Sequence, residues 1–337
     1  MGYGGNLMWT GVIKALHKID KKKILICKKP NLSDLFSLRI YDGYESYKDD
    51  HIFKENPRVR FNIPFNKKKP ILFCCIDNGF KVFLKVKILN SIFEKTLHIF
   101  TKYYFKKTRQ RIVLMNLQKY SYAKSQTKKQ ILWKRSSHAI QAIADNFNLP
   151  LIEITTELNF TDDENINVKK ILNANNVSKK FIIFEPDSNT KWFGILRMWP
   201  KKNWNVLIKS IQKHYPDLCI VHIGEKKITS FNNIVNLTGK TTFREAALII
   251  KHSALFICTE GGLMHAARAV EANTLVIWGG ITKPSFAGYI NKHTIVSENV
   301  ACSPCGNLGW CNNDHICMNN IQPDTVLKKT IQLLNKI

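Results

Sequence analysis

Acid is what this chain is short of. It holds 25 Asp and Glu against 51 Lys and Arg, a formal net charge of +26 over 337 residues. The shortage is uneven: residues 1–150 carry 30 basic and 10 acidic side chains, net +20, and residues 151–337 carry 21 and 15, net +6. A basic surface of this size draws nucleic acid, an anionic membrane or a phosphorylated acceptor. Its plainer reading is a lysine-rich composition with solvated side chains. Long apolar runs are also missing, none reaching the ~18 residues that cross a bilayer. The opening residues have neither the charged start nor the apolar stretch of a secretory signal. A cytoplasmic location is the expectation. The nine cysteines are an odd number, which argues against a full disulfide framework. Cys27, Cys74, Cys75, Cys219 and Cys258 lie in apolar runs and read as core. No repeat of fixed period is visible.

What is present is alternation of strand and helix. Phe181–Phe184, Leu218–Ile223, Ala254–Cys258 and Thr274–Trp278 read as buried strands. Helices over Asn203–His214, Phe243–Lys251 and Leu263–Glu271 separate or follow them, and a last helix runs from Pro323 to Leu334. That spacing predicts a parallel sheet wound on both faces. The first half predicts a helix over Leu7–Ile19, strands over Lys23–Cys27, Val59–Ile63 and Ile71–Ile76, and a helix over Ser137–Phe147. Ile52–Pro57 reads as a helix end and a turn, Leu32–Phe36 as a helical turn and Gln118–Arg135 as a polar loop. The chain opens on a glycine turn, Met1–Gly5, without the strand expected before it. Residues 81–138 interleave aromatic and aliphatic side chains with lysine and arginine, as a membrane interface does. An amphipathic core helix with a basic face is the other reading. A length of 337 residues favours two domains. The division is set in the polar, Asn-rich stretch 162–178, giving units 1–165 and 166–337, with one short helical segment near Val168–Leu172.

The stretch Thr259-Glu260-Gly261-Gly262-Leu263-Met264-His265-Ala266-Ala267 links a strand to a helix. Such a turn presents unpaired backbone N–H groups to an anion, and two glycines let the backbone come close to it. Glu260 is placed to accept from a ribose or sugar hydroxyl, and His265, one turn into the helix, to reach a phosphate. The next strand ends in Gly279-Gly280 and the loop Thr282-Lys283-Pro284-Ser285, at the sheet edge where open α/β folds bind ligands. A tight turn without a ligand fits the same residues. Arg197 or Lys191 is the cation for a diphosphate, with a plain surface charge as the other reading of Arg197. Glu225, after its strand, suits a ribose diol or is an ordinary exposed carboxylate, and Thr238, Gly239 and Thr241 form a turn at the same edge. Cys302, Cys305, Cys311 and Cys317, with His315 nearby, have a spacing that permits a tetrahedral structural zinc; packed thiols or disulfides are the other readings.

Together these residues resemble glycosyltransferase family 9, the ADP-heptose:lipopolysaccharide heptosyltransferases. Glu260-Gly-Gly-Leu-Met-His265 is similar to that family's Asp-Thr-Gly-x-x-His, and Arg197-Met-Trp-Pro200 to its Lys-x-Trp-Pro. Leu237–Glu245, Gly279–Pro284, the four cysteines with Met318, and Ile321-x-Pro323 continue the likeness. Gly4-Gly-Asn-Leu-Met-Trp-Thr10 resembles its Gly-Asp acceptor loop. The resemblance implies a GT-B architecture, two Rossmann-like domains facing a cleft: an acceptor-binding domain over 1–165, and a nucleotide-sugar domain over 166–337 with a Cys-rich loop at 302–317. It implies donor contacts at Glu260, Gly261, Gly262, Leu263, Met264, His265, Glu225, Thr241, Lys191 and Thr282, with Arg197 stabilising the leaving diphosphate. No cofactor is required, since positive side chains and a helix start replace a divalent ion. The implied partners are ADP-heptose, a lipid-linked phosphorylated oligosaccharide and the inner-membrane surface, to which the enzyme is peripheral, with no specific nucleic acid. One departure stands out: Asn6 occupies the place of the carboxylate proposed as base, and an amide does not titrate. A relative using another nucleotide sugar, or a catalytically impaired nucleotide-sugar-binding protein, is the alternative.

Overall fold

A computed structural model describes residues 3–20, 24–28, 51–60, 72–76, 111–115, 137–145, 149, 153–177, 180–188, 194–225, 230–307 and 311–336. The expected helical turn at 32–36, most of 81–138, and Lys191 lie outside them. Helix α1 (Tyr3–Asp20) buries Leu7, Trp9, Val12, Ile13 and Leu16, which lie on more than one side of it. Strands β1 (Ile24–Lys28), β2 (Val59–Arg60), β3 (Leu72–Ile76) and β4 (Arg111–Met115) form a parallel sheet in the order β2-β1-β3-β4. Turns, not a helix end, occupy 51–55.

Strand β4 corrects the reading of 81–138 as one amphipathic stretch. Arg111–Met115 holds the short apolar run Ile112–Met115, and the surrounding lysines hid its strand character. After α2 (Ala139–Asp145) comes α3 (Asp162–Ala174), far longer than the segment expected near Val168. Its start is set by a capping box: the Thr161 side chain accepts from Glu164 N, and the Glu164 side chain accepts from Thr161 N. The division at 165/166 falls inside this helix.

The second sheet begins with β5 (Phe181–Glu185). A 3-10 turn (Gly194–Arg197) and α4 (Lys201–His214) follow, then β6 (Cys219–His222), β7 (Val235–Asn236), α5 (Phe243–His252), β8 (Leu255–Thr259) and α6 (Gly262–Ala269). The chain closes with β9 (Thr274–Trp278), α7 (Pro284–Ala287), β10 (Thr294–Ser297), α8 (Ile316–Asn319) and α9 (Pro323–Leu334). All six strands are parallel, in the order β10-β9-β8-β5-β6-β7. The order reverses between β5 and β8, which opens a crevice at their carboxyl ends. Both faces are covered, as the sequence predicts. Along β5, Phe181 and Ile183 enter one core layer with α5 and α6, while Ile182 and Phe184 enter the other with α4 and α9.

Several contacts tie the first half to the second. Helix α1 packs on α6 and α2. Gly11 lets α1 lie on the 153–156 segment: a Cβ there would stand 2.1 Å from the Thr155 carbonyl oxygen. Arg244 of α5, itself buried, holds Glu164 at 2.6 and 2.8 Å and donates to the carbonyl of His51 at 2.8 Å. Among the described residues, no helix is long and apolar enough to cross a membrane.

Candidate functional site

The bend after β8 sits at the strand-order reversal. Thr259 is the last residue of β8, and Gly261 caps α6 in extended backbone without a side-chain hydrogen bond. The first N–H groups of α6 therefore have no capping side chain, the arrangement an anion exploits. Glu260 is buried beside them. Arg197 Nη2 stands 2.9 Å from Glu260 Oε1, and the Thr282 hydroxyl donates to Glu260 Oε2 at 3.3 Å. Three of the expected site residues, from the 3-10 turn, the end of β8 and the loop after β9, thus meet at one carboxylate. An Arg–carboxylate contact of this length is a charge-assisted hydrogen bond that fixes both side chains.

The first turn of α1 faces the bend. A Cβ placed at Gly262 would lie 3.9 Å from Gly4 N and 3.9 Å from Tyr3 Cβ. The Tyr3 ring lies against Phe243 with centroids 4.5 Å apart. Asn6, one turn further along α1, is buried, and among the described residues its Oδ1 has no partner. The amide at the expected base position therefore lies in the same interface as the bend.

His265, which the sequence places within reach of a phosphate, stands in the first turn of α6. It is buried, and its Nδ1 is 2.7 Å from the Tyr289 hydroxyl. Burial first, and then the neighbouring His138, His293 and Arg197, push its pKa down to about 3, so the ring is neutral. Leu263 and Met264 also turn their side chains into the core, which leaves only their main-chain N–H groups for a ligand. Glu225 is exposed, and the Thr238–Thr241 turn lies beside it, since Gly239 N donates to Gly224 O at 2.9 Å. Gly239 has φ +69°, a value glycine adopts freely.

Several polar groups had no sequence signal. Tyr289, His138 and His293 surround His265, with Tyr289 to His138 and His293 centroid distances of 5.4 and 5.1 Å. Burial lowers His138 to about 4 and His293 to about 3. Thr156 donates to the His265 carbonyl at 2.8 Å. Glu185 ends β5 with a buried Oε2 that lacks a partner among the described residues, and burial holds its carboxyl well above the usual range.

The Cys-rich loop packs on the end of β9. Cys305 N donates to Gly280 O and Gly306 N to Ile281 O, both at 2.9 Å. A Cβ at Gly280 would stand 3.0 Å from Cys317 Cβ, so the glycine is what admits the loop. Cys302, Cys305, Cys311 and Cys317 are free thiols, and burial pushes Cys305 and Cys317 up. Four thiols are a donor set that suits zinc. Among the described residues, however, no three His, Cys, Asp or Glu side chains converge to hold a metal ion. The loop is held here by its main-chain bonds to the β9 end.

Two parallel α/β sheets, with an anion-ready bend at the strand-order reversal of the second and the first helix closing over it, define a GT-B protein. The family model described as "Glycosyltransferase family 9 (heptosyltransferase)" matches residues 91–313. The chain belongs to glycosyltransferase family 9. It is 25% identical over 169 residues to lipooligosaccharide heptosyltransferase 2 of Campylobacter jejuni, covering 46% of this chain. The chain spans about half the length of that curated relative, 51%. Among solved structures it resembles the glycosyltransferase family 9 protein of Veillonella parvula, with a TM-score of 0.64 at 11% identity, covering 100% of this chain and 96% of the other. It also resembles the E. coli ADP-heptose lipopolysaccharide heptosyltransferase II, with a TM-score of 0.59 at 16% identity, covering 98% and 95%. At such identities these two likenesses speak for the fold.

Proposed function

We propose that this chain transfers heptose from ADP-heptose onto a lipid-linked, phosphorylated oligosaccharide of the lipopolysaccharide core. The observation that carries the reading is the uncapped bend at Gly261–Gly262 beside the Arg197–Glu260 pair. A diphosphate seated on the bend meets the first amides of α6 and the positive end of its helix dipole. Arg197 is the nearby cation for the charge that grows on the leaving diphosphate as the glycosidic bond breaks, the stage at which stabilisation raises the rate most. Glu260, held by Arg197 and Thr282, is oriented to receive a hydroxyl of the donor, and Glu225 with Thr241 stands at the same edge for the nucleoside. These groups do the work a divalent ion does elsewhere, so the transfer needs no cofactor. The basic first half suits a phosphorylated, membrane-borne acceptor, which puts the enzyme on the cytoplasmic face of the inner membrane as a peripheral protein.

The test is direct. Purified protein is incubated with ADP-heptose and a heptose-deficient core acceptor, with UDP- and GDP-sugars in parallel. The expected result is ADP release with a mass gain of one heptosyl unit on the acceptor. Donor binding without ADP release would favour a catalytically impaired sugar-nucleotide-binding protein, and turnover of another donor a relative of different specificity.

A further inference from the structure

We infer that Glu185 is a further donor-binding residue, whose carboxyl gives its O–H to a diphosphate oxygen of the nucleotide sugar beside Gly261. The inference deepens the donor site proposed above and rests on it.

Glu185 is the last residue of β5 and lies in register with Cys258 of β8. These two strands flank the reversal of strand order, so their carboxyl ends open on the crevice that holds the bend. Alternation along β5 sends Phe181 and Ile183 into the layer of α5 and α6, and Glu185 follows them to that side. At the end of the strand the side chain meets the start of α6. A Cβ placed at Gly261 would stand 3.9 Å from Thr259 O and 4.0 Å from Glu185 Oε2, with nothing nearer among the described residues apart from its chain neighbours. The side of the bend that lacks a side chain is therefore open, and Glu185 Oε2 forms part of its wall.

That oxygen is covered and has no hydrogen-bond partner among the described residues. Glu185 as a whole keeps part of its surface in solvent. The side chain thus stands at the crevice and not in the sealed core, with one oxygen that the chain itself leaves unbonded. Such an atom is costly to leave without a partner, and a ligand oxygen seated on the bend removes that cost.

The charge state decides which partner suits it. The titratable groups around the carboxyl are Asp187 and Cys258, with His222 against Asp187 and Arg197 against Glu260. Burial, and then the like charge of Asp187, favour the uncharged acid. A carboxylic acid has one O–H to give. An ionised carboxylate would repel a diphosphate, whereas the acid donates to it, and the bound diphosphate in turn holds the proton in place. The two carboxyls of the site so take opposite parts. Glu260 has Arg197 at 2.9 Å and accepts from a hydroxyl of the donor, while Glu185 donates to the phosphate.

The test compares Glu185→Gln, which keeps an N–H donor, with Glu185→Ala, which has none, by calorimetry with ADP-heptose. Glu185→Ala is expected to raise the Kd about tenfold or more, the weight of a hydrogen bond to a charged group, and Glu185→Gln to stay close to the parent. Without ligand, Glu185→Ala should melt no lower than the parent, because Oε2 makes no bond in the empty protein. Infrared difference spectra of the ADP-heptose complex, parent against Glu185→Gln, should show the C=O band of a carboxylic acid. A carboxylate band in its place would overturn the inference. So would a Glu185→Ala protein that binds like the parent or melts below it, or a Glu185→Gln protein that loses as much affinity as Glu185→Ala. Failure of the donor site is distinct: a parent protein that binds no nucleotide sugar removes the site and this inference together, whereas parent binding that Glu185→Ala leaves unchanged removes the inference alone.

Discussion

Arg244→Met removes the guanidinium that joins three parts of the chain and keeps most of the aliphatic stem. Arg244 is 3% exposed. It makes a two-pronged pair with Glu164, donates to the carbonyls of His51 and Asn159, and lies over the Phe160 ring with Cζ 4.9 Å from the centroid. Breaking a buried ion pair from one side costs about 3–5 kcal/mol. Glu164 keeps some contact with water, so ~3 kcal/mol is the working value. For 337 residues the unfolding entropy near the transition corresponds to about 0.7 kcal/mol per degree, giving a fall in Tm of about 4 °C. The effect has a pH signature. Hydrogen bonding to Arg244 is the main reason the Glu164 carboxyl drops from 4.5 to about 2. A lowered folded-state pKa gives stability that is complete above the unfolded value and is lost as pH falls toward the folded one. The gap in Tm between parent and variant should therefore be widest near neutral pH and close as pH drops from 4.5 toward 2. Differential scanning fluorimetry over that range measures it. A variant melting within about 1 °C of the parent, set against the per-residue entropy scale, or a gap indifferent to pH, would refute the clamp.

Gly11→Ala drives a Cβ to 2.1 Å from the Thr155 carbonyl oxygen. It should destabilise the chain by about 1–3 kcal/mol in urea unfolding, as overpacking does. Gly224→Ala, whose nearest neighbour is Thr238 Cγ2 at 3.7 Å, is the control that should leave stability nearly unchanged. Glu260→Gln and Arg197→Met each break the 2.9 Å pair and should weaken donor binding about tenfold or more, reflecting a charged hydrogen bond of ~1.5–3 kcal/mol. Calorimetry with ADP-heptose measures the loss, and unchanged affinity in both would remove the pair from the site. No three metal-ligating side chains converge among the described residues, so native mass spectrometry should show no stoichiometric zinc, and one zinc per chain would overturn that expectation.

The anion-ready bend was legible because everything that makes it is local: an apolar strand, two glycines and a helix start lie in consecutive residues. The parallel sheet of the second half was legible for the same reason. Arg197 and Thr282 could be named as candidates, but their meeting on Glu260 is a product of the sheet order. The surroundings of His265 were hidden. Tyr289 reaches it from 24 residues away and Thr156 from 109, with no pattern in either stretch to mark the contact. The burial of His265 was not legible either, because nothing in the sequence around it shows that α1 packs on α6. Strand β4 was missed because a four-residue apolar run, Ile112–Met115, in a basic stretch does not separate strand from helix by period. Helix α3 was shortened because its cap, Thr161 with Glu164, lies in a polar stretch where apolar periodicity is weak.

The most direct measurement is a crystal structure of the protein soaked with ADP-heptose or ADP. The pyrophosphate is predicted to lie on the N–H groups at Gly261 and Gly262, with Arg197 close to its oxygens. A pyrophosphate bound elsewhere, with the bend unoccupied, would contradict the assignment.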